Sequence, residues 1–193
     1  MTDAINVLIV GVGGQGTLLA SRVLGAAASI LGKDCKLSEV HGMSQRGGSV
    51  VTHVRIGTDI AAPVVTPGEA DYVLAFEKLE ALRFAYYLKP EGTLLINDQE
   101  IMPMPVITGV KEYPADIYGQ LTAAKHKFVS VPALDLAEKA GTAKAVNTVL
   151  IGVLAKLTGM DYAVAEEAVR TAVKPKFLDV NLAALKAGYE YLN

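Results

Sequence analysis

The sequence predicts an α/β fold: a Rossmann-like, mostly parallel sheet flanked by helices, with a C-terminal helical portion. Three observations predict it. Short apolar runs alternate with helical patterns as far as residue 131. The first run, Ile5 to Val10, passes through glycines directly into a helical pattern. After Pro132 only helical patterns follow. Strand–helix alternation of this kind builds a parallel sheet with helices on its faces. We therefore expect one domain over 1–193, with a sheet core over 1–131 and a helical portion over 132–193 packed back on it.

Each element has its own signal. Ile5 to Val10 is almost continuously apolar, as a strand buried on both faces must be. Thr17 to Leu31 repeats apolar residues at helical spacing, and Gly32 is a natural stop. Lys36 to Val40 reads as a second strand. Ser49 to Ile56 alternates, with Val50, Val54 and Ile56 opposite Ser49, His53 and Arg55, which predicts one wetter face. Ala61 to Glu69, with Pro63, Pro67 and Gly68, is a connection. Asp71 to Phe76 is another buried strand. Lys78 to Leu88 reads as a helix closed by Pro90 and Gly92. Thr93 to Asn97 is a strand. Met102 to Pro105 holds two prolines and is expected to be an irregular connection, mobile or partner-facing. Asp116 to Ala124 is a helix and Lys127 to Val131 the last strand. Leu134 to Ala140, Lys144 to Leu157, Asp161 to Val173 and Val180 to Leu192 read as helices, separated by Gly141, Gly159 and Pro175.

Composition narrows the function classes. The 193 residues are 51% hydrophobic and 20% charged, with net charge −2 and mean hydropathy +0.34. Such a chain buries a core and is not disordered. Near-neutral charge argues against nucleic-acid binding. No apolar run approaches the length of a membrane span. The start, Met-Thr-Asp-Ala, lacks the basic region of a secretion signal, so the expected location is cytoplasmic. A single cysteine, Cys35, excludes a disulfide framework, and an iron–sulfur cluster or Cys-rich zinc site held by this chain alone.

Two loops carry the chemistry. Gly11-Val12-Gly13-Gly14-Gln15-Gly16 follows a strand and opens a helix. Glycines permit a tight turn and close backbone approach. The helix start offers free N–H groups and partial positive charge to an anion. Two readings stay open: a phosphate- or nucleotide-binding loop, or a turn for packing or partner docking. An acidic residue about 20 residues on would suit a ribose; Glu39 is a loose match. The second loop, His41 to Gly48, sets Ser44, Gln45 and Arg46 among Gly42, Gly47 and Gly48. Arg46 is suited to hold a phosphate or carboxylate through paired hydrogen bonds, with Ser44 and Gln45 adding neutral donors. Pairing of Arg46 with Glu39 or Glu77 is the structural alternative. In such sheets ligands meet the carboxyl ends of the strands, here Gly11 to Gly16, Glu39 to Gly48, Glu77, and Asn97 with Asp98. The candidate binding residues are Gly11, Gly13, Gly14, Gln15, Gly16, Ser44, Gln45, Arg46, Gly47 and Gly48.

Together these motifs carry a resemblance. Gly-x-Gly-Gly-Gln-Gly at 11–16, followed by Gly42-Met43-Ser44-Gln45-Arg46-Gly47-Gly48, resembles the gamma subunits of 2-oxoacid:ferredoxin oxidoreductases. Met43, Ser44 and Gln45 look most like the indolepyruvate branch, in which this unit is the beta subunit. The likeness runs on through Phe76-Glu77-Lys78-Leu79-Glu80-Ala81-Leu82-Arg83 and Ala145-Val146-Asn147-Thr148 to Val180-Asn181 and Gly188-Tyr189-Glu190. It implies CoA-dependent oxidative decarboxylation of an arylpyruvate, with electrons passed to ferredoxin. It implies a larger partner subunit bearing thiamine diphosphate and iron–sulfur clusters, since this chain also lacks the Gly-Asp-Gly…Asn motif of thiamine sites. No activity is expected of the chain alone, and a dimer of subunits is expected. Coenzyme A is the co-substrate that the glycine loops and Arg46 would suit. The competing reading is a stand-alone nucleotide enzyme, an NAD dehydrogenase or a methyltransferase, the latter suggested by Leu88 to Leu94.

Other residues have plainer expectations. His53 is expected to be structural, His126 exposed, and Cys35 an inert thiol; His41 is the better functional histidine. Glu77 would orient Arg46 or face a partner. Phe84, Tyr86 and Tyr87 belong to core or interface. Asn147, in an apolar helix, needs a partner such as a cap or loop carbonyl. No histidine pair has zinc-site spacing, and no metal site is expected.

Overall fold

In a computed structural model, residues 4–41 and 48–192 are described. Six strands form one sheet: β1 (Ile5–Val12), β2 (Asp34–His41), β3 (Ser49–Gly57), β4 (Ala70–Ala75), β5 (Leu88–Asn97) and β6 (Lys127–Val131). Their spatial order is β2-β3-β1-β4-β5-β6. β1, β4, β5 and β6 run parallel, whereas β3 is antiparallel to both β1 and β2. The sheet is thus mostly parallel with one reversed strand. The reversal follows from connection length: the few residues between His41 and Ser49 allow a hairpin, not a crossover.

Alternation along each buried strand divides the core into two layers. Val7 and Ile9 of β1, Val54 of β3, Leu74 of β4 and Leu95 of β5 face α1 (Thr17–Ile30), α5 (Ala133–Lys139), α6 (Val146–Leu157), α7 (Tyr162–Ala172) and α8 (Leu178–Glu190). Leu8, Val10, Val73, Leu94 and Ile96 face α2 (Lys78–Phe84) and α4 (Ile117–Ala123). The helices after residue 132 therefore share one core with α1 and the sheet.

α6 and α8 cross with very little between them. A Cβ on Gly152 would lie against the Leu185 carbonyl, and one on Gly188 against the Val149 carbonyl. Only glycine permits that approach, and the helical portion is locked by it.

Four expectations are corrected. The polar face of β3 is the wetter one at Ser49, Val51 and Arg55, which are half-buried, but not at His53, which is buried and whose Nδ1 accepts the Val65 N–H at 3.1 Å. Arg55 of the same face reaches Asn6 and the Ala62 carbonyl, so the connection after β3 folds over this face. The helix from Lys78 stops at Phe84 and passes through a 3-10 turn at Ala85–Tyr87. β5 already begins at Leu88, and Pro90 and Gly92 sit within it beside a shift in register between Ala70 and Tyr72. Met102 to Pro105 is not wholly irregular. Residues Met104–Ile107 form a short helix, α3, with Pro103 at its cap and Pro105 in its first turn. Proline is tolerated there because first-turn N–H groups have no helical acceptor anyway.

No helix among the described residues is long and apolar enough to cross a membrane.

Candidate functional site

The carboxyl ends of β1, β4, β5 and β6 point to one edge of the sheet. The β2–β3 connection leaves from and returns to that edge, since His41 pairs with Val50 and Val12 with Ser49. The glycine turn sits at the centre of this edge. Gly14 (φ 103°) and Gly16 (φ 85°) both take left-handed conformations that side-chain-bearing residues avoid.

The turn is held from three sides. Gln15 folds inward: its Oε1 accepts the Val12 N–H at 2.7 Å and its Nε2 donates to the Phe76 carbonyl at 2.9 Å. Gly11 makes room for this, because a Cβ there would meet Gln15 Oε1 at 2.9 Å and Phe76 Cβ at 3.0 Å. Gly13 N–H donates to the Gly48 carbonyl at 2.9 Å, which ties the end of the second loop to the first. Asn147, near the start of α6, lies against Gly16 and donates to its carbonyl at 3.4 Å. A Cβ on Gly16 would meet Asn147 Nδ2 at 2.5 Å. Asn147 thus finds the loop carbonyl its setting demands, and its Oδ1 accepts the Thr148 N–H at 2.8 Å.

The outer side of the turn is open. Among the described residues nothing lies within 4 Å of the Cβ position of Gly14. The N–H groups of Gly14, Gly16, Thr17 and Leu18 have no acceptor among the described residues. They bracket the N-terminus of the 14-residue α1, which has no side-chain cap. Unsatisfied amides at a helix start attract anions.

A pocket of about 520 Å³ adjoins them, lined by Gly14, Gln15, Gly16, Gln99, Ile101, Leu134, Ala143, Lys144, Val146 and Asn147. Its walls are apolar on one side, and Lys144 is the one lining cation among the described residues. Lys144 and Leu134 were not singled out by sequence reasoning, and no local pattern marks them. They reach the site because the helical portion folds back over the sheet edge.

Glu77 does not face the pocket. It is buried; its Oε2 accepts the Glu80 N–H at 3.0 Å, capping α2, and its Oε1 accepts the Ile101 N–H at 3.2 Å and the Tyr113 hydroxyl. Burial holds its carboxyl above the ordinary range despite these donors. Its role is to strap residues 101 and 113 to the end of β4. Asn97, fully buried at the end of β5, donates to the Phe76 carbonyl and to Gln99. Gln15 and Asn97 therefore share one acceptor beneath the turn.

Ser44, Gln45, Arg46 and Gly47 lie outside the described residues, as does the side chain of His41. Glu39 lies in β2, at the outer edge of the sheet, and accepts the Thr52 hydroxyl at 3.1 Å. In a dinucleotide fold the ribose-binding acid ends the strand next to β1. Here β3 occupies that place, so Glu39 is displaced by a whole strand. His126 is half-buried. Burial pushes the Cys35 thiol up, away from reactive thiolate character. No group of three or more His, Cys, Asp or Glu among the described residues could hold a metal ion.

Comparison with known proteins decides the lineage. The family model described as pyruvate ferredoxin/flavodoxin oxidoreductase matches residues 6–191. The chain belongs to this family. It is 42% identical to the indolepyruvate oxidoreductase subunit IorB of Archaeoglobus fulgidus, over 96% of this chain and 94% of that one. It is 41% identical to IorB of Thermococcus kodakarensis, over 95% and 93%. The keto/oxoacid ferredoxin oxidoreductase gamma subunit of Geobacter sulfurreducens has the same fold, with a TM-score of 0.70 and 26% identity over 96% of each chain. The mixed sheet and the packing of α5–α8 are thus those of an oxoacid oxidoreductase gamma-type subunit.

Proposed function

We propose that this chain is the beta subunit of an indolepyruvate ferredoxin oxidoreductase and that its glycine edge seats coenzyme A for the complex. The observation that carries the second part is the Gly13–Gly48 hydrogen bond. It joins the ends of two glycine loops beside helix N-terminal amides that have no acceptor among the described residues, and beside a pocket with an apolar wall and Lys144. A phosphorylated, partly apolar, elongated co-substrate suits such a surface.

The residues present suit that group. Gly14 and the α1 amides would take phosphate oxygens, because no Cβ blocks approach there. Arg46 would add a paired guanidinium contact. Ile101, Leu134 and Val146 would line the less polar portion, with Lys144 at the rim. Gly11 and Gln15 keep the turn in shape from behind rather than touching the ligand. Coenzyme A, when bound, supplies the thiol that accepts the acyl group left after decarboxylation. Thiamine diphosphate and the iron–sulfur clusters belong to the larger partner subunit on this reading, because clusters need several thiolates and this chain has one cysteine. Ferredoxin is the acceptor of the assembled complex. The displaced Glu39 removes the support for a stand-alone dinucleotide enzyme.

The test uses the complex co-purified with its larger subunit. Arylpyruvate-dependent viologen reduction should require both chains. Arg46→Ala should raise the KM for coenzyme A about tenfold or more, as loss of a charge-assisted contact worth roughly 1.5–3 kcal/mol requires. An unchanged KM would remove Arg46 from the site. Micromolar binding of NAD or S-adenosylmethionine by the chain alone, seen by calorimetry, would contradict the whole reading.

A further inference from the structure

Several basic side chains of the described surface are paired. Lys36 meets Asp34, Lys78 meets Asp98 and Glu100, Arg83 meets Glu80, Lys89 meets Asp71, and Arg170 meets Glu166. One groove gathers four that are not. It lies between α1, residues 142–144 and residues 172–181, with a volume of about 490 Å³. Arg22, Lys144, Lys174 and Lys176 line it, all exposed, and no carboxylate does so among the described residues. None of the four has an ion-pair partner among those residues. In a chain of net charge −2, this is a local concentration of uncompensated positive charge.

The floor of the groove is apolar. Val173 is buried there, and Leu19, Val180 and Phe177 surround it. Phe177 is 49% exposed and carries the Lys176 ammonium 4.8 Å from its ring centre. The buried amide in the wall, Asn181, is already used: its Nδ2 donates to the Phe177 carbonyl at 2.8 Å and its Oδ1 accepts the Thr148 hydroxyl at 2.5 Å. A small-ligand pocket needs convergent polar groups to fix orientation; here the buried amide is spent, and the unpaired groups are long, exposed cations at the rim. An apolar centre within a charged, exposed rim is instead the anatomy of a protein interface.

We propose that this groove receives an acidic segment of the larger partner subunit, with an apolar side chain seated against Phe177 and Val173 and carboxylates on the four cations. The inference rests on the assembly proposed above. Its continuity with the site favours that partner: Lys144 lines both this groove and the pocket beside the glycine turn. A chain docked here therefore closes one wall of the site. Charge complementarity of this kind steers association and makes it salt-sensitive.

The test is surface chemistry on the free chain and on the purified complex. Acetylation by an N-hydroxysuccinimide ester should label Lys174 and Lys176 freely in the isolated chain and about tenfold more slowly in the complex. Lys125, exposed and away from the groove, is the control. Carbodiimide coupling, which joins only amines and carboxylates in contact, should link Lys144, Lys174 or Lys176 to Asp or Glu of the larger subunit. Lys174→Glu with Lys176→Glu should weaken assembly about tenfold, and circular dichroism should show an intact fold. Equal labelling in both states with no cross-link would overturn the proposal, although the complex still forms. Cross-links to a second copy of this chain would overturn it in favour of self-association. Protection of the free chain by ATP would overturn it in favour of a phosphorylated small ligand. Failure of any complex to form would strike the assembly reading itself and is seen separately, by gel filtration.

Discussion

At the α6–α8 crossing, glycine is needed because there is no space; at the outer side of the first turn, because there is space to keep open. A Cβ on Gly152 or Gly188 would meet backbone of the facing helix, whereas none of the described residues comes within 4 Å of the Gly14 position. Gly11 and Gly16 belong with the crossing, since their missing Cβ atoms are replaced by Gln15, Phe76 and Asn147. The same residue type thus does opposite work within one loop. The inner glycines fix the turn against β4 and α6; the outer one exposes amides. The pattern Gly-x-Gly-Gly-Gln-Gly is therefore mostly architecture, with Gly14 turned to the open side.

Substitutions can break this contrast, and the crossing should yield first. Gly188→Val drives a branched side chain into the Val149 carbonyl. It should cost about 3 kcal/mol or more, as overpacking at a rigid contact does, read as a lower urea midpoint. Stability within a few tenths of a kcal/mol of the parent would mean that the two helices sit further apart. Gly14→Ala tests the open side. The methyl meets no atom of the described residues, but φ of 103° disfavours it by about 1–2 kcal/mol. The expected result is a modest fall in Tm of about 2–8 °C, together with a raised KM for coenzyme A and a nearly unchanged kcat in the complex. A fall in Tm alone would make Gly14 a packing residue like its neighbours. Asn147→Ala should cost about 1 kcal/mol of stability, because it unties α6 from the Gly16 carbonyl and leaves the Thr148 N–H without its acceptor.

The smallest effect is a pH dependence. Burial lowers the His53 pKa below its ordinary 6.5. The unfolded chain then takes up a proton near pH 6.5 that the folded chain refuses. Stability from this group is complete above that value and is lost as pH falls from 6.5 toward the lowered folded pKa. His53→Gln should flatten the stability profile in that window. A variant with the same slope as the parent would move the acid sensitivity elsewhere.

Much of the fold was legible because it follows from local pattern. β1, β4 and β6 lie within about a residue or two of the runs that predicted them, as do the cores of the later helices. What local pattern missed is tertiary. The wetter face read for β3 holds at Ser49, Val51 and Arg55, but His53 is covered by Val65, and no alternation within the strand records that a later loop will lie on it. Register absorbed Pro90 and Gly92 into β5, against their usual meaning as breakers. The site was legible on its glycine side only. Asn147 betrayed itself as an amide in an apolar helix, but Lys144 and Leu134 carry no such mark. They enter through the folding back of the helical portion, which a linear reading does not locate.

The central claim is that this chain completes a site it cannot run alone. The direct measurement is arylpyruvate-dependent viologen reduction, with coenzyme A, by the larger subunit, by this chain, and by the two reconstituted together. The account predicts turnover only in the reconstituted mixture, abolished when coenzyme A is withheld. Full turnover by the larger subunit without this chain, or any turnover by this chain in isolation, would contradict it.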